Sequence, residues 1–265
     1  MARLLLIALA ALIAFTSETA AQPGGMFRER IEADVSSRRI GIESDFAGIQ
    51  VVVFGAVDYS QQRSAEENLY DIAIVIRGPN EPTVVRQKDR VVGLWVNQAA
   101  KVFTDVPQYY AALSTRPLDE IARQEILDQY RIGFGNLRFT LADGAQTSTT
   151  VEEEEAFRRA LIRIKQDQNL YQERDFAVAF ISRSLFRATV SLPANVPVGV
   201  YDVEIFLFRN GELLDTHETE LRIEKQGLER FIFNLAFENS LIYGIAGVII
   251  AIIAGLAASA VFRKS

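Results

Sequence analysis

From Leu241 to Phe262 the chain runs for 22 residues without a charge. That is long enough to cross the hydrocarbon core of a bilayer with some tilt. Such a segment must satisfy its own backbone hydrogen bonds, so a helix is expected over 241–262. Arg263 and Lys264 follow at once and mark the cytoplasmic end, leaving 263–265 as a cytoplasmic tail. A glycolipid-anchor signal would end in its apolar tail, and this one ends in charge. Within the run, Gly247, Ala251, Gly255 and Ser259 recur every fourth residue. A face of small residues lets a second helix approach closely where lipid gives no hydrophobic drive. The partners expected are therefore the bilayer and another integral membrane protein, or a second copy of the chain.

The other end agrees with this topology. Arg3 precedes an apolar run from Leu4 to Phe15, followed by polar residues and the small pair Ala20-Ala21. This pattern predicts a signal peptide over 1–21, too short to span a bilayer. The body would then lie outside the cytoplasm. Before the span, Leu228, Phe231 and Leu235 share one helical face, with Phe233, Phe237 and Tyr243 beside it. Residues 227–240 read either as a helix lying at the membrane interface or as the last turns of a helix packed on the body.

Removing both ends leaves roughly 200 residues, enough for a real hydrophobic core. The net charge of −6 argues against nucleic acid, whose phosphates need a basic surface. The chain has no cysteine, which excludes disulfides, thiolate catalysis and cysteine-ligated metals.

Residues 22–27 read as a linker. Strand patterns follow at 31–35 and 40–43, and at 49–57, which is apolar enough to suggest a strand covered on both faces. More come at 69–77, 83–87, 91–96 and 101–104, with Lys88-Asp89-Arg90 and Asn97-Gln98 as turns. Arg116-Pro117-Leu118 opens a helix with an apolar face of Leu118, Ile121, Ala122, Ile126 and Tyr130, and Gly133 lies past its end. A second helix starts near Val151, with Thr150 and Glu153 as a capping box and Phe157, Ala160, Leu161 and Ile164 as its buried stripe. Glu154–Arg158 and Glu155–Arg159 are spaced to pair along it. Strands return at 176–181, 185–192, 198–208 and 213–224, with Asn210-Gly211 as a hairpin turn. The fold expected is mainly β: an immunoglobulin-like β-sandwich, one extended or two tandem. It is divided into 22–113 and 172–226 by a helical insertion at 114–171, with a single C-terminal transmembrane helix.

Chemistry is sparse. His217 is the only histidine and cannot build a multi-histidine metal site. Glu152 to Glu155 suit a helix N-terminus better than a calcium site, because they point in different directions. Gly133-Phe134-Gly135 lacks the rest of a dinucleotide fingerprint. No catalytic residue, cofactor or metal ligand is expected. Trp95, Tyr109 and Tyr110 are candidates for an interaction surface, although the surroundings of Trp95 also suit a packed strand.

Several motifs together resemble the alphaproteobacterial putative transmembrane protein family. They are Phe54-Gly55-Ala56-Val57, Gly93-Leu94-Trp95-Val96-Asn97, Pro107-Gln108-Tyr109-Tyr110 with Arg116-Pro117-Leu118, and the ending Leu241-Ile-Tyr-Gly with Ala260-Val-Phe-Arg. The resemblance transfers no catalytic residue. It implies a Gram-negative inner membrane with the body in the periplasm, and an association with sulfite-exporter-like permeases. The function expected is a membrane-anchored periplasmic interaction module, accessory to another inner-membrane protein such as a transporter. Two rivals stand beside it. One is an enzyme using scattered carboxylates such as Asp45, Asp58 and Glu66. The other is a ligand-binding domain using the gap between sandwich and insertion.

Overall fold

Alternation of apolar and polar residues drives Arg30–Val35 (β1), Gly48–Asp58 (β3) and Leu185–Pro193 (β10) into strands with one buried face. Ile31 and Val35, Val51, Val53 and Val57, and Phe186, Ala188, Val190 and Leu192 form that face. With Val178–Phe180 (β9) these strands make an antiparallel sheet in the order β1-β3-β10-β9. The computed structural model describes residues 28–43, 46–91, 94–142, 150–226, 236–237 and 240–262; the side chains of 89, 91, 94–99 and 257–262 are outside that description.

The second sheet has six strands in the order β2-β12-β11-β4-β7-β8: Arg39–Ile42 (β2), Glu212–Lys225 (β12), Gly199–Arg209 (β11), Asp71–Arg77 (β4), Tyr110–Ser114 (β7) and Tyr171–Arg174 (β8). Contacts of β1 with β11 and β12, of β9 with β4 and of β10 with β7 bring the two sheets together. The first six residues of β4 are all buried, because its neighbours are strands on both sides, the four-stranded sheet touches it, and the short helix Leu118–Ile121 (α1) packs on it as well. The strand covered on both faces is thus β4, whereas β3, for which that was expected, leaves Ile49 and Phe54 more than two-fifths exposed.

Both sheets mix strands from before and after the helical segment, so the two halves are not independent tandem units. The strand order does not establish an immunoglobulin-like topology. The pairs β2–β12 and β7–β8 are parallel, and immunoglobulin sheets are antiparallel. The Asn210-Gly211 turn is as expected, with φ of 52° and 81° at its two residues.

Three departures from the sequence pattern have physical causes. The expected strands within 83–104 are one long hairpin, Asn80–Val91 (β5) and Leu94–Pro107 (β6). Its register steps from Gln87↔Ala99 to Lys88↔Asn97, so the turn-like Asn97-Gln98 marks a bulge and the strand runs through it. The helix expected from Leu118 to Tyr130 is broken, because Ala122 is extended and pairs with Gly211 at the tip of the β11–β12 hairpin. The chain resumes helix at Gln124–Gln129 (α2). In the long helix Val151–Asp167 (α3) the Thr150 hydroxyl caps the Glu153 N–H at 3.3 Å, as the sequence indicates. Arg158 instead pairs with Glu155 at 2.7 Å, because its guanidinium also reaches the carbonyls of Phe134, Gly135 and Leu137.

Ser240–Phe262 is a continuous α-helix (α4) of 23 residues. Among the described residues no helix is long and apolar enough to cross a membrane. In α4 the described side chains stop at Leu256, about 25 Å along the axis from Ser240 at 1.5 Å per residue. The signal peptide 1–21, the interfacial segment 227–240 apart from 236–237 and Ser240, and the tail 263–265 lie outside the described residues.

Candidate functional site

The aromatic surface suggested by the sequence is not a surface. Tyr109 and Tyr110 are fully buried, since β7 is an inner strand of the six-stranded sheet, between β4 and β8, and touches β10 of the other sheet. Their hydroxyls find partners inside, as buried tyrosines require. Tyr109 donates to the Ser191 carbonyl at 3.2 Å, and Tyr110 accepts from the Gly133 N–H at 2.8 Å and donates to the Arg131 carbonyl at 3.2 Å. Burial pushes both phenols up from the ordinary tyrosine value. Tyr110 also contacts the rings of Phe134 and Tyr171, so it fastens the helical segment to the sheet. The side chain of Trp95 lies outside the described residues.

The other sequence candidates remain scattered. His217 is half-buried in β12, opposite Ile205. Asp58 and Glu66 are exposed, and Asp45 lies outside the described residues. Among the described residues no three His, Cys, Asp or Glu side chains gather where a metal ion would sit. On α4, a Cβ built at Gly247 or Gly255 meets nothing within 4 Å, so nothing in the described chain covers that side of the helix. Ala251 is exposed, while the side chains of Ser259, Arg263 and Lys264 lie outside the described residues.

The buried charges serve the fold. Asp71 accepts from Thr115 Oγ1 at 2.8 Å and from Arg116 Nε at 3.0 Å and Nη2 at 2.6 Å. Glu29 accepts from Gln61 Nε2 at 2.8 Å, from the Tyr70 hydroxyl at 3.3 Å and from Arg209. Each carboxylate has its charge answered within the fold, which leaves little for a substrate.

A different region is left open. On α3 the row Phe157, Leu161 and Lys165 is buried against the body, and Lys165 Nζ donates to Gln108 Oε1 at 2.7 Å. The neighbouring row Ala156, Ala160 and Ile164 is not sealed, and Ile164 is 42% exposed. Between this row and β5 runs a cleft of about 330 Å³, lined by residues 85–88 of β5 and by α3 from Ala156 to Ile164. Val85 and Phe157 give it an apolar floor. Arg86, Lys88 and Arg163 line it as well, and among the described residues none of the three has an acidic partner. The arrangement offers an apolar slot beside three cations, which suits an anionic and partly apolar guest.

The sequence suggests a gap between strands and insertion without marking these residues as its lining. A signal was present: Ala156, Ala160 and Ile164 form their own four-residue row beside Phe157, Leu161 and Lys165. Ala160 and Ile164 also fit the single buried stripe expected on that helix, which obscures the second row.

The family model described as Putative transmembrane protein (Alph_Pro_TM) matches residues 30–264. No curated protein matches the chain, and no solved structure does.

Proposed function

This chain belongs to the Putative transmembrane protein (Alph_Pro_TM) family, and we propose that it is a single-pass, membrane-anchored interaction module whose folded body works beside another integral membrane protein. The observation that carries the reading is α4. It has 23 residues without an Asp, Glu, Lys, Arg or His, and its large apolar side chains, such as Leu241 at 82% and Leu256 at 67% exposure, are left uncovered by the body. An apolar surface of this extent needs a partner phase. The whole helix is about 34 Å long at 1.5 Å per residue, against a hydrocarbon core of about 30 Å.

The charge pattern supports a cytoplasmic Arg263-Lys264 and a periplasmic body, with the signal peptide removed after Ala21. The resemblance adds a Gram-negative inner membrane. The partner is a multi-pass membrane protein such as a transporter. The uncovered face at Gly247, Ala251 and Gly255 would receive one of its helices, and the cleft between α3 and β5 would receive one of its periplasmic segments. Purification from native membranes in mild detergent should retain a multi-pass protein in a fixed ratio to the chain. A chain that runs alone as a monomer under those conditions would overturn the proposal.

A further inference from the structure

β5 and β6 form a two-stranded sheet, so each has one outer edge. The outer edge of β6 is occupied. Ala142 N–H donates to the Val102 carbonyl at 2.9 Å, and Thr104 N–H donates to the Thr140 carbonyl at 2.8 Å. Val102 and Thr104 therefore present their backbone groups outward. Because the direction alternates along a strand, Lys101 and Phe103 present theirs to β5. Their register partners are Val85 and Thr83. The intervening Val84 and Arg86 must then direct their N–H and C=O groups to the outer edge of β5. Among the described residues nothing accepts from or donates to those groups.

That edge opens into the cleft. Side chains alternate between the two faces of a strand, so a cleft lying on one face would be lined by every second residue. This one is lined by four in succession, Val85, Arg86, Gln87 and Lys88. It meets the strand side-on, with the apolar row of α3 as its opposite wall. In a chain of net charge −6, Arg86, Lys88 and Arg163, none of them paired with an acid among the described residues, put three positive charges on the lining of the cleft.

We infer that the cleft takes an extended, acidic and apolar peptide segment of the partner as an added strand on the free edge of β5. This inference rests on the interaction-module reading and gives its partner a chemistry. The guest backbone bonds to the N–H and C=O groups of Val84 and Arg86. Its apolar side chains lie on Val85, Phe157 and Ile164, and its carboxylates face Arg86, Lys88 and Arg163. Main-chain bonds supply affinity in this mode, and alternate side chains supply specificity.

The test uses the full chain in detergent micelles and a fluorescent, end-capped hexapeptide of alternating glutamate and valine, followed by anisotropy. Saturable binding is expected for this peptide and none for its lysine–valine counterpart. Arg163→Glu should weaken binding about tenfold or more, a change worth about 1.4 kcal/mol. Arg86→Ala removes the cation but keeps the edge N–H. Arg86→Pro removes both, and an edge strand tolerates proline because no ladder bond is lost. The proline variant should bind at least about tenfold more weakly than the alanine variant. The pair Val84→Pro and Val84→Ala repeats the comparison, should Arg86→Pro not fold. Equal loss in alanine and proline variants would overturn strand addition. No binding, or equal binding of the lysine–valine peptide, would overturn the cleft as an acidic-peptide site. Co-purification of the membrane partner with Arg163→Glu at wild-type yield would also overturn it while leaving the module reading standing, and only a chain isolated alone as a monomer defeats that reading.

Discussion

Asp71 shows how much of this fold depends on single polar contacts made over long range. It is 5% exposed at the start of β4, and its guanidinium partner is 45 positions away. Nothing in the local sequence marks it, since it falls within the strand pattern 69–77 and its partner lies far along the chain. Asp71→Ala would leave Arg116 and Thr115 without their acceptor, at a cost of about 2 kcal/mol once the partial exposure of Arg116 is allowed for. A urea denaturation midpoint of the detergent-solubilised chain checks this. Asp34→Ala, which breaks the exposed Asp34–Arg38 pair, should leave the midpoint nearly unchanged. The tyrosines make the same point with the opposite history. Tyr109 and Tyr110 were visible in the sequence, but their hydroxyl acceptors, Ser191 and Arg131, belong to other elements, so their burial was not.

At the scale of elements, local signals located the starts of helices well and their interruptions poorly. Thr150 capped α3 because a cap is a local bond, whereas Ala122 broke its helix because Gly211, distant in sequence, offered it a bridge. Lys165 on α3 carries a pH signature. Burial lowers its ammonium below the ordinary 10.5, with Glu81 partly opposing. The unfolded chain therefore holds that proton to a higher pH than the folded one, and unfolding takes up a proton in the window just below 10.5. Stability should rise with pH through that window, and the burial cost should be fully present at neutral pH. Lys165→Met should lack this rise, so urea denaturation of both proteins between pH 8 and pH 10, about two units apart, checks the sign. On α4, Gly255→Leu keeps the helix apolar but adds bulk to the uncovered small-residue face. Insertion should survive, and association with the membrane partner should weaken by about 1 kcal/mol or more, while Ile253→Leu should be nearly silent. Crosslinking in membranes at matched expression distinguishes them, and equal recovery of partner would remove the small face from the argument.

For the whole molecule, topology is the most exposed prediction. A reporter fused after Ser265 should be active only if it works in the cytoplasm, and one fused near Lys225 only if it works outside; reversed activities would overturn the orientation. By itself the sequence determined the β-rich body, the Asn210-Gly211 turn, the capped helix and the 22-residue uncharged run, because alternation, φ preference, capping and hydropathy act over a few neighbouring residues. Only the tertiary structure decided that β4 and not β3 is sealed on both faces, that strands from both halves share each sheet, that 80–107 is one hairpin, and that β5 and an apolar row of α3 line one cleft with Arg86, Lys88 and Arg163. Those outcomes depend on which residues distant in sequence come to lie side by side. Period and propensity say which face of a strand is apolar, and they carry no information about what will cover it.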